Sequence, residues 1–287
     1  MLVFLSQLIN GISVASILLI TALGLGIIFG LMKVINMAHG ELIMIGAYSA
    51  YLFVTVLKQN FFVGMIAAFF ITGLVGLLVE LIVIKKLYGQ PTETLLATFG
   101  LSIVLQQIIR SIFGPELRYV STQFNNSINF GDSITIPVFR IFIFIMTVFM
   151  LFVTWFMFYK TSFGKKIRAI TQNRDMTECL GINTSKVDTW TFAYGAGLAG
   201  LAGAIMAPIK SVSPTMGLQY LTDSFMTVVI GGVNSLAGTA IGATLVGEST
   251  TTLGWLSNEI FAKIIVFLMI IIFIRFKPEG LFSNERR

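Results

Sequence analysis

Cysteine and histidine are almost absent from this chain of 287 residues, which has one of each, Cys179 and His39. One cysteine excludes an intrachain disulfide and a cysteine-based metal cluster, and one histidine excludes a histidine-rich metal site. A Gly-Lys-Ser or Gly-Lys-Thr phosphate-binding loop is also missing, which excludes the nucleotide hydrolases that depend on such a loop. We therefore expect neither a bound metal nor a cofactor.

Charged residues are also scarce, at 11% of the chain against 56% hydrophobic residues, and the mean hydropathy is +0.89. A soluble domain of this length would need more charge to cover its surface. The apolar residues form long uncharged blocks, such as 2–32 and 141–159, and lack the alternation of outer-membrane barrel strands. Because a helix needs about 20 apolar residues to cross a bilayer core of about 30 Å, the sequence predicts an all-α, polytopic transmembrane protein.

The hydrophobic blocks divide into about eight segments, and no linker-like change in composition separates them, so we expect one domain over residues 1–287. The segments are 2–32, 37–57, 61–84, 93–113, 138–159, 188–208, 222–247 and 253–275. Small residues recur four apart in the sixth segment, at Gly195, Ala199 and Gly203. This spacing lets helix backbones approach closely inside a membrane, and it favours packing within the chain over an oligomer interface.

Basic residues concentrate in the loop around 160–186 and near the C-terminus, so both regions are expected in the cytoplasm. Membrane topology thus accounts for the basic loop, and we expect no nucleic-acid partner. The polar, Asn-rich stretch 114–136 is predicted to be external. These assignments place the N-terminus outside and the C-terminus inside, which requires an odd number of crossings.

One of the eight segments should therefore not cross as a plain helix, and 222–247 is the best candidate. Its middle contains Gly231, Gly232, Val233, Asn234 and Ser235, which weaken a helix. Irregular backbone at membrane depth is tolerated only inside protein or beside water. The sequence predicts that this segment is broken or re-entrant.

Three polar residues, Asn36, His39 and Glu41, lie within six positions at the junction of the first two segments. Ionisable groups inside a membrane are costly and are usually functional or paired. An acid–base pair of His39 and Glu41 is disfavoured, because residues two apart point to different sides of a helix. A structural bend or cap and a lining of the solute pathway both remain open.

The fourth segment carries polar residues four apart, which form one stripe on a helix. They are Thr94, Thr98, Ser102 and Gln106. Hydroxyls and an amide without charge suit a neutral solute that needs hydrogen bonds. Hydrogen bonding between helices, at about 0.6 kcal/mol per bond in membranes, is the equally weighted alternative.

The basic loop between the fifth and sixth segments is long enough for a short surface helix that stops at Gly181. On physical grounds alone it is either a docking surface for a cytoplasmic protein or a charged anchor.

Residues 24–32 (GLGIIFGLM) and 34–41 (VINMAHGE) resemble the opening signature of permease subunits of the branched-chain amino acid and urea ABC-importer family. The similarity continues through 94–107, 164–182, 192–203, 229–242 and 277–282. The resemblance implies a channel-forming subunit of an ATP-driven importer in the bacterial inner (cytoplasmic) membrane, and not an enzyme. It further implies three kinds of partner: a second homologous permease subunit, two cytoplasmic ABC ATPase subunits and an external solute-binding protein.

By the same resemblance, residues 164–182 hold the coupling helix that contacts the ATPase. The residues assigned to that contact are Lys166, Arg168, Ala169, Leu180 and Gly181. Small residues are usual in the family near 177–178, where this chain has Thr177 and Glu178. This departure puts the individual docking contacts in doubt.

Within the family the chain looks most like the urea-type permease, on residues 36–41, 93–102 and 187–193. The pathway is then expected to carry a small neutral solute along Asn36, His39, Glu41 and the stripe of the fourth segment. The alternative is the same machine carrying branched-chain amino acids or short amides. A passive urea or amide channel is the weaker alternative, because it would need neither the basic loop nor a partner.

Overall fold

The computed structural model describes residues 2–122, 124, 127–130, 134–233, 235–277 and 279–282. Within these ranges the chain folds into eleven α-helices and one two-stranded antiparallel sheet, which confirms the all-α class. Five helical stretches are long and apolar enough to cross a membrane. They are Gln7–Met32, His39–Val56, Phe61–Ile82, Pro91–Phe113 and Val138–Lys160.

The first six of the predicted segments correspond to long helices, and two short helices lie between the fifth and the sixth. The helices are α1 (Leu2–Met32), α2 (His39–Tyr51), α3 (Phe61–Ile82), α4 (Pro91–Phe113), α5 (Val138–Lys160), α6 (Ser162–Gln172), α7 (Arg174–Cys179), α8 (Thr184–Met206), α9 (Gly217–Gly231), α10 (Leu236–Leu256) and α11 (Glu259–Phe276). A π-helical turn, Leu52–Val56, extends α2, and a 3₁₀ turn, Ile84–Leu87, follows α3. Strands β1 (Ser127–Phe130) and β2 (Ile134–Pro137) pair within the predicted external loop, with Ser127 opposite Pro137.

Helix α8 forms the centre of the fold, and α1, α2 and α3 pack around it. A side chain at Gly203 would place its Cβ 1.9 Å from the Ile43 carbonyl oxygen of α2. One at Gly195 would lie 2.9 Å from the Gly24 carbonyl oxygen of α1. The spacing of small residues in α8 therefore does pack helices within the chain, as the sequence predicts.

The predicted segment 222–247 is broken, which confirms that prediction. Helix α9 ends at Gly231, and Gly232 has φ +100°, a backbone conformation that favours glycine. Helix α10 then returns antiparallel to α9, with Gly238 packed on Gly231 and Gly242 packed on the Thr227 carbonyl. Asn234, which was part of the predicted break, lies outside the described residues.

The predicted boundary between the seventh and eighth segments, at 247–253, is wrong. Helix α10 continues through Glu248 to Leu256, and the chain turns at Ser257 and Asn258. The Asn258 side chain accepts a hydrogen bond from the Phe261 backbone N–H and so caps α11. The break inside 222–247 thus gives two helices, α9 and α10. That the two chain ends lie on opposite sides of the membrane stays a prediction.

Candidate functional site

The junction between α1 and α2 lies inside the fold. Helix α1 ends at Met32, Lys33 has φ +55°, and the next residues turn back so that α2 begins at His39. Asn36, His39 and Glu41 have no solvent exposure at all. Three polar side chains are therefore enclosed where the first two helices meet.

Some polar atoms of this junction have hydrogen-bond partners in the surrounding backbone. The Asn36 Oδ1 atom accepts a hydrogen bond of 3.0 Å from the Ala38 backbone N–H, and His39 Nε2 lies 3.1 Å from the Thr21 carbonyl oxygen. Three buried atoms of this junction have no partner among the residues that the structure describes: Asn36 Nδ2, His39 Nδ1 and Glu41 Oε2. Buried polar groups without partners are costly and call for an explanation. His39 faces α1 and Glu41 faces α4, so the two side chains do not act as a direct pair.

The polar stripe of α4 faces this junction. Thr94, Thr98 and Ser102 are buried, and Gln106 is half-buried. The Thr98 hydroxyl donates to the Thr94 carbonyl at 2.8 Å and accepts from the Met37 backbone N–H at 3.1 Å. The opposite face of α4 is exposed and apolar, so the stripe is the side by which α4 contacts the rest of the chain.

The stripe also binds a carboxylate that the sequence did not connect to it. Glu41 Oε1 accepts hydrogen bonds from the Ser102 hydroxyl at 2.9 Å and from Gln106 Nε2 at 2.7 Å. The structure thus brings the junction residues and the α4 stripe together into one site, and that site contains an ionisable carboxyl group.

Two cavities of about 310 Å³ each lie elsewhere, and none of the residues of this site lines them. The first lies between α1, α5, α6 and the turn before α10, and its lining includes Gly26, Arg168, Thr171, Ser235 and Thr239. The second lies between α1, α9, α10 and α11 and contains the ion pair of Asp223 and Lys263. Sequence reasoning missed this pair, although Lys263 is the one charged residue of its helix apart from the two ends.

The predicted coupling segment 164–182 consists of most of α6, all of α7 and the turn after it. Gly181 has φ +79°, as a glycine stop requires. Its N–H donates to the Glu178 carbonyl at 2.9 Å, and the Ile182 N–H donates to the Thr177 carbonyl at 3.3 Å. These two bonds form a Schellman motif, which ends a helix with a left-handed glycine. The predicted helix stop at Gly181 is confirmed.

The residues assigned to the ATPase contact differ in their exposure. Lys166, Leu180 and Gly181 are exposed, and the Leu180 side chain is 73% exposed. Arg168 and Ala169 are half-buried, and the Arg168 guanidinium binds the Phe158 carbonyl at the end of α5. Arg168 therefore fixes α6 to α5, whereas Leu180 presents an apolar side chain to the outside.

Of the two residues that depart from the family pattern, Thr177 points inward and Glu178 is exposed. Thr177 is buried, and its hydroxyl donates to the Asn173 carbonyl at 2.7 Å. The Glu178 carboxylate accepts a hydrogen bond from the Thr184 hydroxyl. Met176, which precedes Leu180 by one helical turn, is 61% exposed. Sequence reasoning missed Met176, although its spacing of four from Leu180 was a usable signal.

A polar network connects α7 to the ends of α3 and α8. Arg174 Nη2 lies 2.7 Å from Asp188 Oδ2, and its guanidinium lies 5.4 Å from the centre of the Tyr88 ring. The Tyr88 hydroxyl donates to the fully buried Glu80 carboxylate at 3.1 Å, and the Thr189 hydroxyl donates to the other carboxylate oxygen at 2.7 Å. Burial and the neighbouring Glu80 charge raise the pKa of the Tyr88 phenol, so Tyr88 stays a neutral donor.

Among the residues that the structure describes, no group of three or more His, Cys, Asp or Glu side chains could hold a metal ion. The chemistry offered by both the junction and the network is hydrogen bonding and ion pairing.

Comparison with known proteins gives the family. A model of the family described as the permease component of branched-chain amino acid transport systems matches residues 7–274. The high-affinity branched-chain amino acid transport system permease protein BraD of Pseudomonas aeruginosa is 28% identical over 295 residues, which cover 98% of this chain and 96% of that protein.

Two further relatives show how far the similarity extends. The high-affinity branched-chain amino acid transport system permease protein LivH of Salmonella typhimurium is 29% identical over 301 residues, covering 99% of this chain and 96% of its own. The ribose import permease protein RbsC of Haemophilus influenzae is 31% identical over 127 residues, covering 42% of this chain and 39% of its own. No solved structure matches the chain. The chain therefore belongs to the permease family of branched-chain amino acid transport systems, as a multi-pass protein of the inner membrane and not as an enzyme.

Proposed function

We propose that this chain is one transmembrane subunit of an ATP-driven importer that carries amino acids with branched aliphatic side chains into the cell. The observation that carries the proposal is the match of the family model to residues 7–274, nearly the whole chain. The relatives BraD and LivH, each aligned over 96% of its length, are described as permeases of branched-chain amino acid transport systems. ATP hydrolysis then belongs to separate subunits.

The coupling segment supplies the proposed contact with those ATPase subunits. Met176 and Leu180 form an exposed apolar patch, and Lys166 adds a positive charge on the same segment. The network from Arg174 to Asp188, Tyr88 and the buried Glu80 links this patch to the ends of α3 and α8. A displacement of α7 would thereby reach two helices that pack at the centre of the fold.

We assign the remaining partners from the same architecture. A second homologous permease subunit would face this one in the membrane, two ATPase subunits would bind from the cytoplasm, and a solute-binding protein would deliver the solute from outside. The exposed apolar face of α4 offers surface to lipid or to the second permease, with Leu96 69% and Ile112 66% exposed.

The junction of α1 and α2 and the α4 stripe are proposed to line the solute pathway at the middle of the membrane. Support comes from the unpartnered buried atoms of Asn36, His39 and Glu41, since such atoms are expected where a polar solute or water passes. The competing role is packing, because Thr98, Ser102 and Gln106 tie α4 to α2 by hydrogen bonds.

Urea is the second candidate for the solute. The absence of charge along the stripe favoured urea in the sequence, but Ser102 and Gln106 bind the Glu41 carboxylate. Urea N–H groups can donate to a carboxyl group as an ammonium group does, so the case against urea rests on the relatives named above, none of which is described as a urea permease.

Uptake by the reconstituted importer tests the proposal. Proteoliposomes that contain both permeases and the ATPases, with ATP on the ATPase side, are supplied with the binding protein and labelled leucine or labelled urea. ATP-dependent accumulation of leucine without urea supports the proposal. Accumulation of urea without leucine would replace it with the second candidate.

A further inference from the structure

The cavity between α1, α9, α10 and α11 differs from the junction site in both charge and walls. Its volume is about 310 Å³, and its apolar wall includes Leu18, Val246 and Phe267. Asp223 and Lys263 line the same space. Ligand pockets commonly measure about 300–1,000 Å³, so this cavity is large enough for one small organic molecule.

The positions of its helices place this cavity toward the external side of the membrane. Helix α8 starts after the basic segment 164–182, and Lys210 at the cavity follows its opposite end. Helix α11 ends near Arg275, and Lys263 is near its start. Because the basic regions mark the cytoplasmic side, the cavity is where a solute from outside would arrive.

An ion pair between α9 and α11 lies in this cavity, near the start of α11. Lys263 Nζ lies 3.1 Å from Asp223 Oδ2, and their side chains are 36% and 16% exposed. Lys210 lines the cavity as a second positive charge. Charged groups at membrane depth are costly, so they are functional by default and their partners matter.

We propose that this cavity binds the amino-acid zwitterion before it passes inward. The solute ammonium group faces Asp223, the solute carboxylate faces Lys263 and Lys210, and the branched side chain packs on Leu18 and Val246. The inference rests on the proposed function, since it names the place where the proposed solute binds.

The electrostatic argument favours a zwitterion over other solutes. A charged group that loses its partner inside a membrane is heavily penalised. A zwitterion that separates Asp223 from Lys263 leaves each charge with a new partner of opposite sign. Urea has no charge with which to replace either partner, and it has no aliphatic group for the Val246 wall. A purely structural tie between α9 and α11 would explain the pair, but not its position on an apolar cavity.

Removal of the Lys263 charge tests the carboxylate contact. In the reconstituted importer, we expect Lys263→Met to raise the KM for leucine at least tenfold. The preference for leucine over leucinamide, which lacks the carboxylate, should disappear, and Lys263→Arg should restore it. An unchanged preference in Lys263→Met would overturn the assignment of the carboxylate contact.

Filling the cavity tests its use by the solute. Val246→Phe and Thr250→Leu place larger groups in the lining, whereas Leu245→Phe adds the same bulk on the 47% exposed neighbour, which does not line the cavity. We expect leucine uptake to fall at least tenfold in the first two variants, alanine uptake to fall less, and the control to behave as wild type.

The outcomes separate this inference from the proposed function. Leucine uptake at the wild-type level in an assembled Thr250→Leu importer would overturn the cavity assignment alone. A wild-type importer that takes up no amino acid would overturn the proposed function itself. Thr250→Leu keeps the test valid if the buried Val246 site tolerates no phenylalanine.

Discussion

Replacement of Gly181 by valine perturbs the coupling segment through the backbone alone. Gly181 has φ +79°, and a Cβ atom added there meets no atom within 4 Å. The added Cβ therefore meets none of the described residues, and the cost is that of a left-handed conformation. For a residue with a Cβ that cost is about 1–2 kcal/mol, and β-branched residues resist this region most.

This cost has a measurable consequence if the ATPase binds the segment in its present conformation. A penalty of about 1–2 kcal/mol lowers the population of the competent conformation about 5- to 30-fold. The Schellman motif that presents Leu180 would loosen, since it depends on the Gly181 geometry. We expect Gly181→Val to lose ATPase subunits during purification and to reduce transport per ATP hydrolysed.

Gly89 provides a matched control in another loop that is predicted to be cytoplasmic. It has φ +84°, and its Cβ position is equally open. Gly89→Val should therefore carry similar strain but leave the ATPase bound, because Gly89 lies outside 164–182. Co-purification of the ATPase with a tagged permease measures both variants. Normal binding and coupling in Gly181→Val, or equal loss in both variants, would refute the coupling role.

Three further predictions concern the packing, the stripe and the topology. Gly203→Val should lower the Tm of the detergent-solubilised protein, since overpacking costs about 1–3 kcal/mol. Gly100→Val, which has open space around its Cβ, should lower the Tm less. Equal losses of Tm in the two variants would argue against the tight crossing at α8. The double variant Thr98→Val/Ser102→Ala should lower stability by about 0.6 kcal/mol per lost hydrogen bond, and normal solute uptake in it would leave the stripe a packing role only. A cysteine at the exposed Gln59, in a background lacking the native cysteine, should react with an impermeant reagent from outside; labelling only after permeabilisation would reverse the topology.

Much of the fold was readable from local sequence. Long uncharged blocks identify membrane helices because their length matches the bilayer. The glycines at 231 and 232 predicted a break because they destabilise a helix, and Gly181 predicted a helix end. The predicted boundary between the seventh and eighth segments, near Glu248, was misplaced because a charged residue does not by itself end a helix. Helix α10 continues to Leu256, and the Asn258 side chain caps the start of α11.

The tertiary partners could not be read in this way. The periodicity of α4 identified a polar face, but its contact with Glu41 joins residues more than 60 positions apart. The ion pair of Asp223 and Lys263 joins two residues that are 40 positions apart, on α9 and α11. Such contacts depend on how helices cross, which periodicity within one helix does not specify. The prediction of a neutral solute rested on the resemblance to urea-type permeases and on a stripe with no charged residue, and the periodicity of α4 could not show that Glu41 lies against that stripe.

The most direct test of the account is solute-dependent ATP hydrolysis by the complete importer reconstituted in a lipid bilayer. The assay compares binding protein loaded with leucine, offered urea, or left empty, at saturating ATP. The account predicts that leucine stimulates hydrolysis well above the level with empty binding protein and that urea does not. Stimulation by urea with no response to leucine would contradict it.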